Sequence, residues 1–202
     1  MALKVKLIIF DLSGVCFTNE ESVFLELFIK GQGLDRESFL ARYGDLIRQA
    51  EVHRISGREV WRKLVRDFGV SADIDKIIRE MIDMKAPNWD VLQLAKILKS
   101  QYLTVYYTNY NEDYWRLIKS RFDFAEWFSW GVVSYEIGIR KPSRRGFEHI
   151  MARAGVRPEE TVFVDDSPQN LLEPAASGTH TIRFTGKNIL QERLKQLGVT
   201  MK

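Results

Sequence analysis

Short apolar runs recur along the chain with the length of buried strands. The first, residues 5–10, is nearly all apolar and rich in β-branched residues, which is typical of a strand covered on both faces in a parallel sheet. Runs of similar character follow at residues 103–107, 132–134, 161–164 and 181–184. We expect these five runs to be the strands of a single sheet.

Helical patterns lie between most of these runs. Residues 89–98 repeat apolar side chains at helical spacing, and a second helix is predicted between Ser143 and Gly155. Leu190 and Leu194 mark a last helix that ends near Gly198. Alternation of strand and helix predicts an α/β fold with right-handed crossovers, that is, a Rossmann-like, doubly wound parallel sheet.

The stretch between residues 18 and 85 has no strand pattern and predicts four helices instead. Each helix has a start signal: capping boxes at Thr18–Glu21 and Ser56–Glu59, and N-cap aspartates at Asp35 and Asp73. We therefore expect an α/β core made of residues 1–17 and 86–202, with an inserted all-helical, four-helix cap at residues 18–85.

Composition narrows the class of protein. The 202 residues carry 30 lysines and arginines against 27 acids, a net charge of +3 that is scattered along the chain and gives no reason to expect nucleic-acid binding. The single cysteine, Cys16, excludes a disulfide within the chain. No apolar run is long enough to span a bilayer, and the N-terminus does not resemble a signal peptide. We expect a soluble, cytoplasmic protein with no membrane partner, whose oligomeric state the sequence does not predict.

Polar side chains collect where the predicted strands end, which is the edge at which open α/β sheets bind ligands. They are Asp11 and Ser13 after the first strand, Thr108 and Asn109 after the second, Lys141 after the third, and Asp165 and Asp166 after the fourth. Three carboxylates in one cleft repel each other unless a cation neutralises them, and oxygen ligands favour a hard ion such as Mg²⁺. A carboxylate, an ammonium, a hydroxyl and a metal around one point suit phosphoryl transfer through an aspartyl intermediate.

In this order, the segments resemble the four motifs of the haloacid dehalogenase-like hydrolase superfamily, and in particular its phosphatase members with a helical cap. The motifs read Asp-Leu-Ser-Gly-Val at 11–15, Thr-Asn at 108–109, Arg-Lys-Pro at 140–142 and Asp-Asp-Ser at 165–167. The resemblance covers essentially the whole chain, including a helical insertion just after the first motif. It implies a phosphohydrolase that acts on a small phosphorylated metabolite.

The resemblance also implies roles on the substrate side of the site. Asp11 would be the nucleophile, and Lys141 would stabilise both Asp11 and the substrate. Thr108 would bind the transferring group, together with the backbone of Asn109, and Leu12 is placed with Asn109 among the substrate-binding residues.

On the metal side, the resemblance implies a Mg²⁺ ion held by four residues. Asp11 would supply a carboxylate oxygen, and Ser13 would supply its backbone carbonyl. Asp166 would be a direct ligand, and Asp165 either a second ligand or one acting through water.

Ser13 departs from the phosphatase pattern, in which an aspartate two residues after the nucleophile protonates the leaving group and later activates water. A hydroxyl does not replace a carboxylic acid near neutral pH. General acid–base catalysis typically raises a reaction rate by about 10²–10⁴-fold. The sequence therefore predicts a slow phosphatase, or one whose leaving group needs little protonation, such as a sugar 1-phosphate, an acyl phosphate or an aryl phosphate.

Two other functions stay open at this point. Metal-independent 2-haloacid dehalogenases of the same superfamily also lack the second aspartate, and Arg42, Arg48 and Arg54 could supply the cap arginine that such an enzyme would use. The pair Asp165–Asp166 favours the phosphatase, since a dehalogenase needs no metal ligands. The loss of the acid at Ser13 is also compatible with a catalytically impaired relative that only binds a ligand or partner.

Overall fold

The computed structural model describes residues 4–201, and its centre is a parallel sheet of five strands. The strands are β1 (Leu7–Phe10), β2 (Leu103–Thr108), β3 (Trp130–Val133), β4 (Thr161–Asp165) and β5 (His180–Arg183). Their order is β3-β2-β1-β4-β5, so β1 is central and pairs in parallel with β2 and β4. The five predicted strands are confirmed with small shifts at their ends. Ser134, which we expected in a strand, instead begins a short helix.

Both faces of the sheet are covered, as the apolar strands predict. In β1, Ile8 and Phe10 join a large apolar cluster on one face, whereas Leu7 and Ile9 join a smaller cluster on the other. Successive side chains of a strand point to opposite faces, so a strand buried on both sides must be apolar throughout. The doubly wound α/β fold is therefore confirmed.

Residues 4–201 contain ten α-helices. They are α1 (Glu21–Gln32), α2 (Arg36–Ala50), α3 (Gly57–Asp67), α4 (Ile74–Asp83), α5 (Trp89–Lys99), α6 (Glu112–Lys119), α7 (Ser134–Ile137), α8 (Arg144–Ala154), α9 (Pro168–Ala176) and α10 (Lys187–Gln196). The first four lie between β1 and α5, where the sequence pattern changes.

The start signals of these four helices have different outcomes. Ser56 forms the predicted capping box, and Asp35 and Asp73 each accept a hydrogen bond from the backbone of their helix. The capping box at Thr18 is wrong: α1 begins after Glu20 with no side-chain cap. The Thr18 hydroxyl instead accepts from the backbone N–H of Ala86 at 2.9 Å, and so ties the outgoing chain to the returning one.

Helix α3 packs directly on α6 of the sheet-bearing part. The N-terminus of α3 passes so close to α6 that a Cβ on Gly57 would lie 2.4 Å from Oδ1 of Asn111. One turn further along, the indole N–H of Trp61 donates to the hydroxyl of Tyr114 at 2.8 Å, both side chains being buried. These contacts hold α3 against the part of the chain that carries the sheet.

Among residues 4–201, no helix combines the length and apolar character needed to cross a membrane.

Candidate active site

The carboxyl ends of β1, β2 and β4 surround a small cleft of about 170 Å³. It is lined by Asp11, Ser13, Asn19, Thr108, Asn109, Lys141, Asp166, Ser167 and Asn170. The polar residues selected at the strand ends therefore meet at one place. Asp165 lies beneath the cleft and is fully buried, and the side chain of Leu12 is also buried.

Lys141 bridges two carboxylates at the floor of the cleft. Its Nζ lies 2.7 Å from Oδ1 of Asp11 and 2.6 Å from Oδ2 of Asp165, and the lysine is only 1% exposed. Burial alone lowers the pKa of Lys141, but the two carboxylates outweigh it and hold the pKa above its ordinary value. The ammonium is therefore a fixed positive charge beside Asp11.

The two oxygens of Asp11 have different surroundings. Oδ1 accepts from the backbone N–H of Leu12 at 2.7 Å and from Lys141, whereas no hydrogen bond to Oδ2 is found within residues 4–201. Burial raises the pKa of the Asp11 carboxyl to about 7, with a further increase from Asp165 and an opposing effect from Lys141. The carboxylate is thus oriented through one oxygen and open to the cleft through the other.

The oxygens of Asp165 are occupied by donors. Oδ1 accepts from the backbone N–H of Ser167 at 2.9 Å and from the amide of Asn170 at 3.1 Å, and Oδ2 accepts from Lys141 and from the same amide. This arrangement fixes the carboxylate and, through it, the position of the Lys141 ammonium.

Asp166 differs from its neighbour because it is only partly buried and faces the cleft. Burial, and then the charge of Asp165, raise the pKa of Asp166 above its ordinary value. A Cβ on Gly14 would lie 2.3 Å from Oδ2 of Asp166, so the glycine, at a φ of 83°, leaves the space that this carboxylate fills. Asp11, Asp165 and Asp166 offer oxygens within 4.8 Å of one another, a grouping that could hold a metal ion.

Thr108 and Asn109 complete the cleft at the end of β2. Thr108 is buried, with only 1% of its surface exposed. The amide of Asn109 accepts from the backbone N–H of Lys141 at 2.8 Å and donates to the carbonyl of the same residue at 3.2 Å. Asn109 therefore fixes the loop that carries the lysine.

Sequence reasoning missed two residues that contact Ser13. The Ser13 Oγ lies 2.5 Å from the hydroxyl of Tyr110 and 3.2 Å from Nζ of Lys85. Burial lowers the pKa of Lys85, but its interaction with Tyr110 and the charges of Glu21 and Asp11 outweigh this, and the pKa is raised. Lys85 follows α4 and reaches the site only because the chain returns beside Thr18, a long-range contact that no local pattern predicts.

Comparison with known proteins places this site in a family. The family model of the haloacid dehalogenase-like hydrolases matches residues 5–178. The chain belongs to this family of hydrolases. The predicted resemblance, which was drawn from the four motifs, is confirmed.

Relatives of the family add detail about what the chain resembles. It is 26% identical over 200 residues to the sesquiterpene phosphatase astK of Aspergillus oryzae, covering 98% of each chain. A 95-residue match to flavin mononucleotide hydrolase 1 of Arabidopsis thaliana is also 26% identical and covers 47% of this chain and 38% of that one. The fold matches a family enzyme of Bacteroides thetaiotaomicron, solved with magnesium and inorganic phosphate, at a TM-score of 0.76 and 22% identity, covering 91% and 94% of the two chains.

Among these hydrolases, a dehalogenase would need an arginine at the cleft. Arg42 pairs with Asp67 at 2.7 Å, and Arg48 pairs with Asp45. The lining of the cleft contains neither of these two arginines, nor Arg54. The structure therefore does not bring the three candidate arginines of the insertion to the site.

Proposed function

We propose that the protein is a Mg²⁺-dependent phosphohydrolase that acts on small phosphorylated metabolites through an aspartyl-phosphate on Asp11. The observation that carries this proposal is the pairing of Asp11 with Lys141 next to Asp166, at the floor of a small cleft. The names of the fungal and plant relatives, a phosphatase and a mononucleotide hydrolase, point to the same chemistry.

The acidic cluster fits a hard divalent cation. Its three carboxylates lie close together, and Lys141 supplies only one compensating charge within the cluster. We assign Asp11, Asp166 and the backbone carbonyl of Ser13 as ligands. Asp165 acts through water or by holding Lys141, because its oxygens already accept from three donors. When bound, the Mg²⁺ supplies positive charge for the phosphoryl oxygens.

In the first step, Oδ2 of Asp11 attacks phosphorus while Oδ1 stays held by Leu12 and Lys141. The P–O bond to the leaving group breaks, and its electron pair departs with the leaving oxygen. Lys141, with Thr108 and the backbone of Asn109 on the other side of the cleft, offers donors to the phosphoryl oxygens. The leaving oxygen takes a proton from solvent, so the products are the free alcohol and phospho-Asp11.

In the second step, water attacks phosphorus, the P–O bond to Asp11 breaks, and inorganic phosphate forms. Ser13 offers no carboxylate to take a proton from this water or to give one to the leaving group. We therefore expect slow or leaving-group-selective hydrolysis, with sugar 1-phosphates, acyl phosphates and aryl phosphates favoured.

The helical insertion suits the role of a cap. We propose that residues 18–85 close over a core formed by residues 1–17 and 86–202 and shield the cleft from water. Asn19, which leads into α1, already lines the cleft, and Nε of Arg140 lies 2.7 Å from the carboxylate of Glu51 at the end of α2. A cleft so confined favours metabolites over folded proteins as substrates.

We also propose that the enzyme works in the cytoplasm.

An assay on a panel of phosphorylated metabolites, with Mg²⁺ or with EDTA, tests the proposal. We expect the wild type to release phosphate, EDTA to abolish this release and added Mg²⁺ to restore it. The variant Asp11→Asn should release no phosphate. Halide release from 2-haloacids in EDTA would support the dehalogenase instead. Inactivity in every arm would support a binding protein.

A further inference from the structure

We propose that Lys85 and Tyr110 turn the Ser13 hydroxyl into a hydrogen-bond donor aimed at the leaving-group oxygen of the substrate. This inference rests on the proposed phosphohydrolase function and deepens it. It assigns a task to the residue that stands where phosphatases of the family carry an acid.

The surroundings of Lys85 are unusual for a surface-type side chain. Its ammonium is partly buried, 3.2 Å from Ser13 Oγ and 3.5 Å from the carbonyl oxygen of Thr18, and lies 5.5 Å from the centre of the Tyr110 ring. No carboxylate within residues 4–201 forms an ion pair with it. The ammonium therefore acts through its hydrogen bonds, one of which is donated to the Ser13 hydroxyl at the edge of the cleft.

Counting donors and acceptors fixes the direction of the hydroxyl. A hydroxyl has one donor and two acceptor positions, and an ammonium only donates, so Lys85 fills one acceptor position of Ser13. If Ser13 donated to Tyr110, the phenolic O–H would have no acceptor within the described part of the chain. Tyr110 is only 4% exposed, so that orphaned donor would be expensive.

The favourable arrangement therefore has Tyr110 donating to Ser13. Both acceptor positions of Ser13 are then filled, and its own O–H is left to point elsewhere. Ser13 lines the cleft two residues after Asp11, where water or a substrate oxygen can accept the bond. Lys85, behind the hydroxyl, polarises it and strengthens it as a donor.

Such a donor helps the first chemical step without giving up its proton. As the P–O bond breaks, negative charge develops on the leaving oxygen, and a preorganised hydrogen bond stabilises that charge. The leaving oxygen then takes its proton from solvent. Ser13 contacts the substrate in this scheme, whereas Lys85 and Tyr110 act through Ser13 as positioning residues.

Leaving-group dependence separates this role from a structural one. We would measure kcat/KM, which reports the step that expels the leaving group, for aryl and alkyl phosphates of increasing leaving-group basicity, with Mg²⁺. The proteins compared are the wild type, Lys85→Met, Ser13→Ala and the double variant. We expect each single variant to lose about 10²-fold with the most basic leaving groups and little with nitrophenyl phosphate. The double variant should be no slower than Ser13→Ala, and Lys85→Arg should recover part of the loss.

Lys76→Met is the matched control, since Lys76 is an exposed lysine of α4 whose ion pair is with Glu80. It should follow the wild type on every substrate. Equal losses of Lys85→Met across all leaving groups, or losses that add in the double variant, would overturn the inference while leaving the phosphohydrolase intact. A wild type that releases no phosphate with Mg²⁺ would overturn the proposed function, and this inference with it.

Discussion

At the residue scale, the burial of Asp11 makes the stability of the metal-free protein depend on whether this carboxyl is protonated. An acid whose pKa is higher in the folded than in the unfolded state keeps its proton longer when folded. The favourable contribution of Asp11 to the free energy of unfolding is complete when the pH is below 3.8, the ordinary pKa. It is lost as the pH rises to about 7, the pKa in the folded protein. Above that pH the folded protein carries the cost of a buried carboxylate.

Asp11→Asn should therefore stabilise the metal-free protein at pH 8, by at most about 4 kcal/mol, and the gain should shrink as the pH falls towards 4. The amide oxygen can still accept from Leu12 and Lys141, so the fold loses little. Urea unfolding in EDTA at several pH values measures the difference. A gain that is the same at every pH would show that the Asp11 carboxyl titrates as in water.

The variant Ser13→Asp would restore a carboxyl group two residues after Asp11. An acid at this position should speed the hydrolysis of poor leaving groups more than good ones. Lys85 lies 3.2 Å from the present hydroxyl and favours the ionised form of the new carboxyl, so we expect a gain near the lower end of general acid catalysis, about 10²-fold. Rates on matched alkyl and aryl phosphates test this, and an equal response of both classes would refute our account of Ser13.

At the element scale, the close contact of α3 with α6 depends on a glycine. A Cβ at Gly57 would meet the side chain of Asn111, which caps α6 by accepting from the backbone of Tyr114. Gly57→Ala should therefore lower the free energy of unfolding by about 1–3 kcal/mol. Gly31→Ala is the control: Gly31 lies in α1 with open space where a Cβ would lie, and an alanine there should stabilise the protein by about 0.5–1 kcal/mol. Equal effects in urea unfolding would contradict the close packing.

The elements also show which parts of the structure can be read from sequence. Buried strands such as β1 are predictable because burial on both faces requires continuous apolar residues, and strand ends such as Asp11 and Asp166 are predictable because parallel strands share one functional edge. Thr18 was misassigned because its hydroxyl bonds Ala86, 68 residues later. Lys85 was missed for the same reason, since its partner Ser13 is 72 residues away.

At the scale of the whole molecule, the sheet brings residues from three other segments to Asp11, and the chain that leaves α4 brings Lys85 to the same place. A Lys141 ammonium held between two carboxylates is the arrangement expected if Asp11 is esterified during turnover. The geometry of the cleft thus supports a covalent mechanism in which the position of the nucleophile is fixed before the substrate binds.

Trapping the covalent intermediate tests this claim most directly. The protein would be mixed with Mg²⁺ and an acyl or aryl phosphate, quenched in acid, digested and examined by mass spectrometry. We predict a peptide that carries one phosphoryl group on Asp11, absent with EDTA and absent in Asp11→Asn. Turnover of the substrate with no phosphoryl group on this peptide, or with phosphate on another residue, would contradict the account.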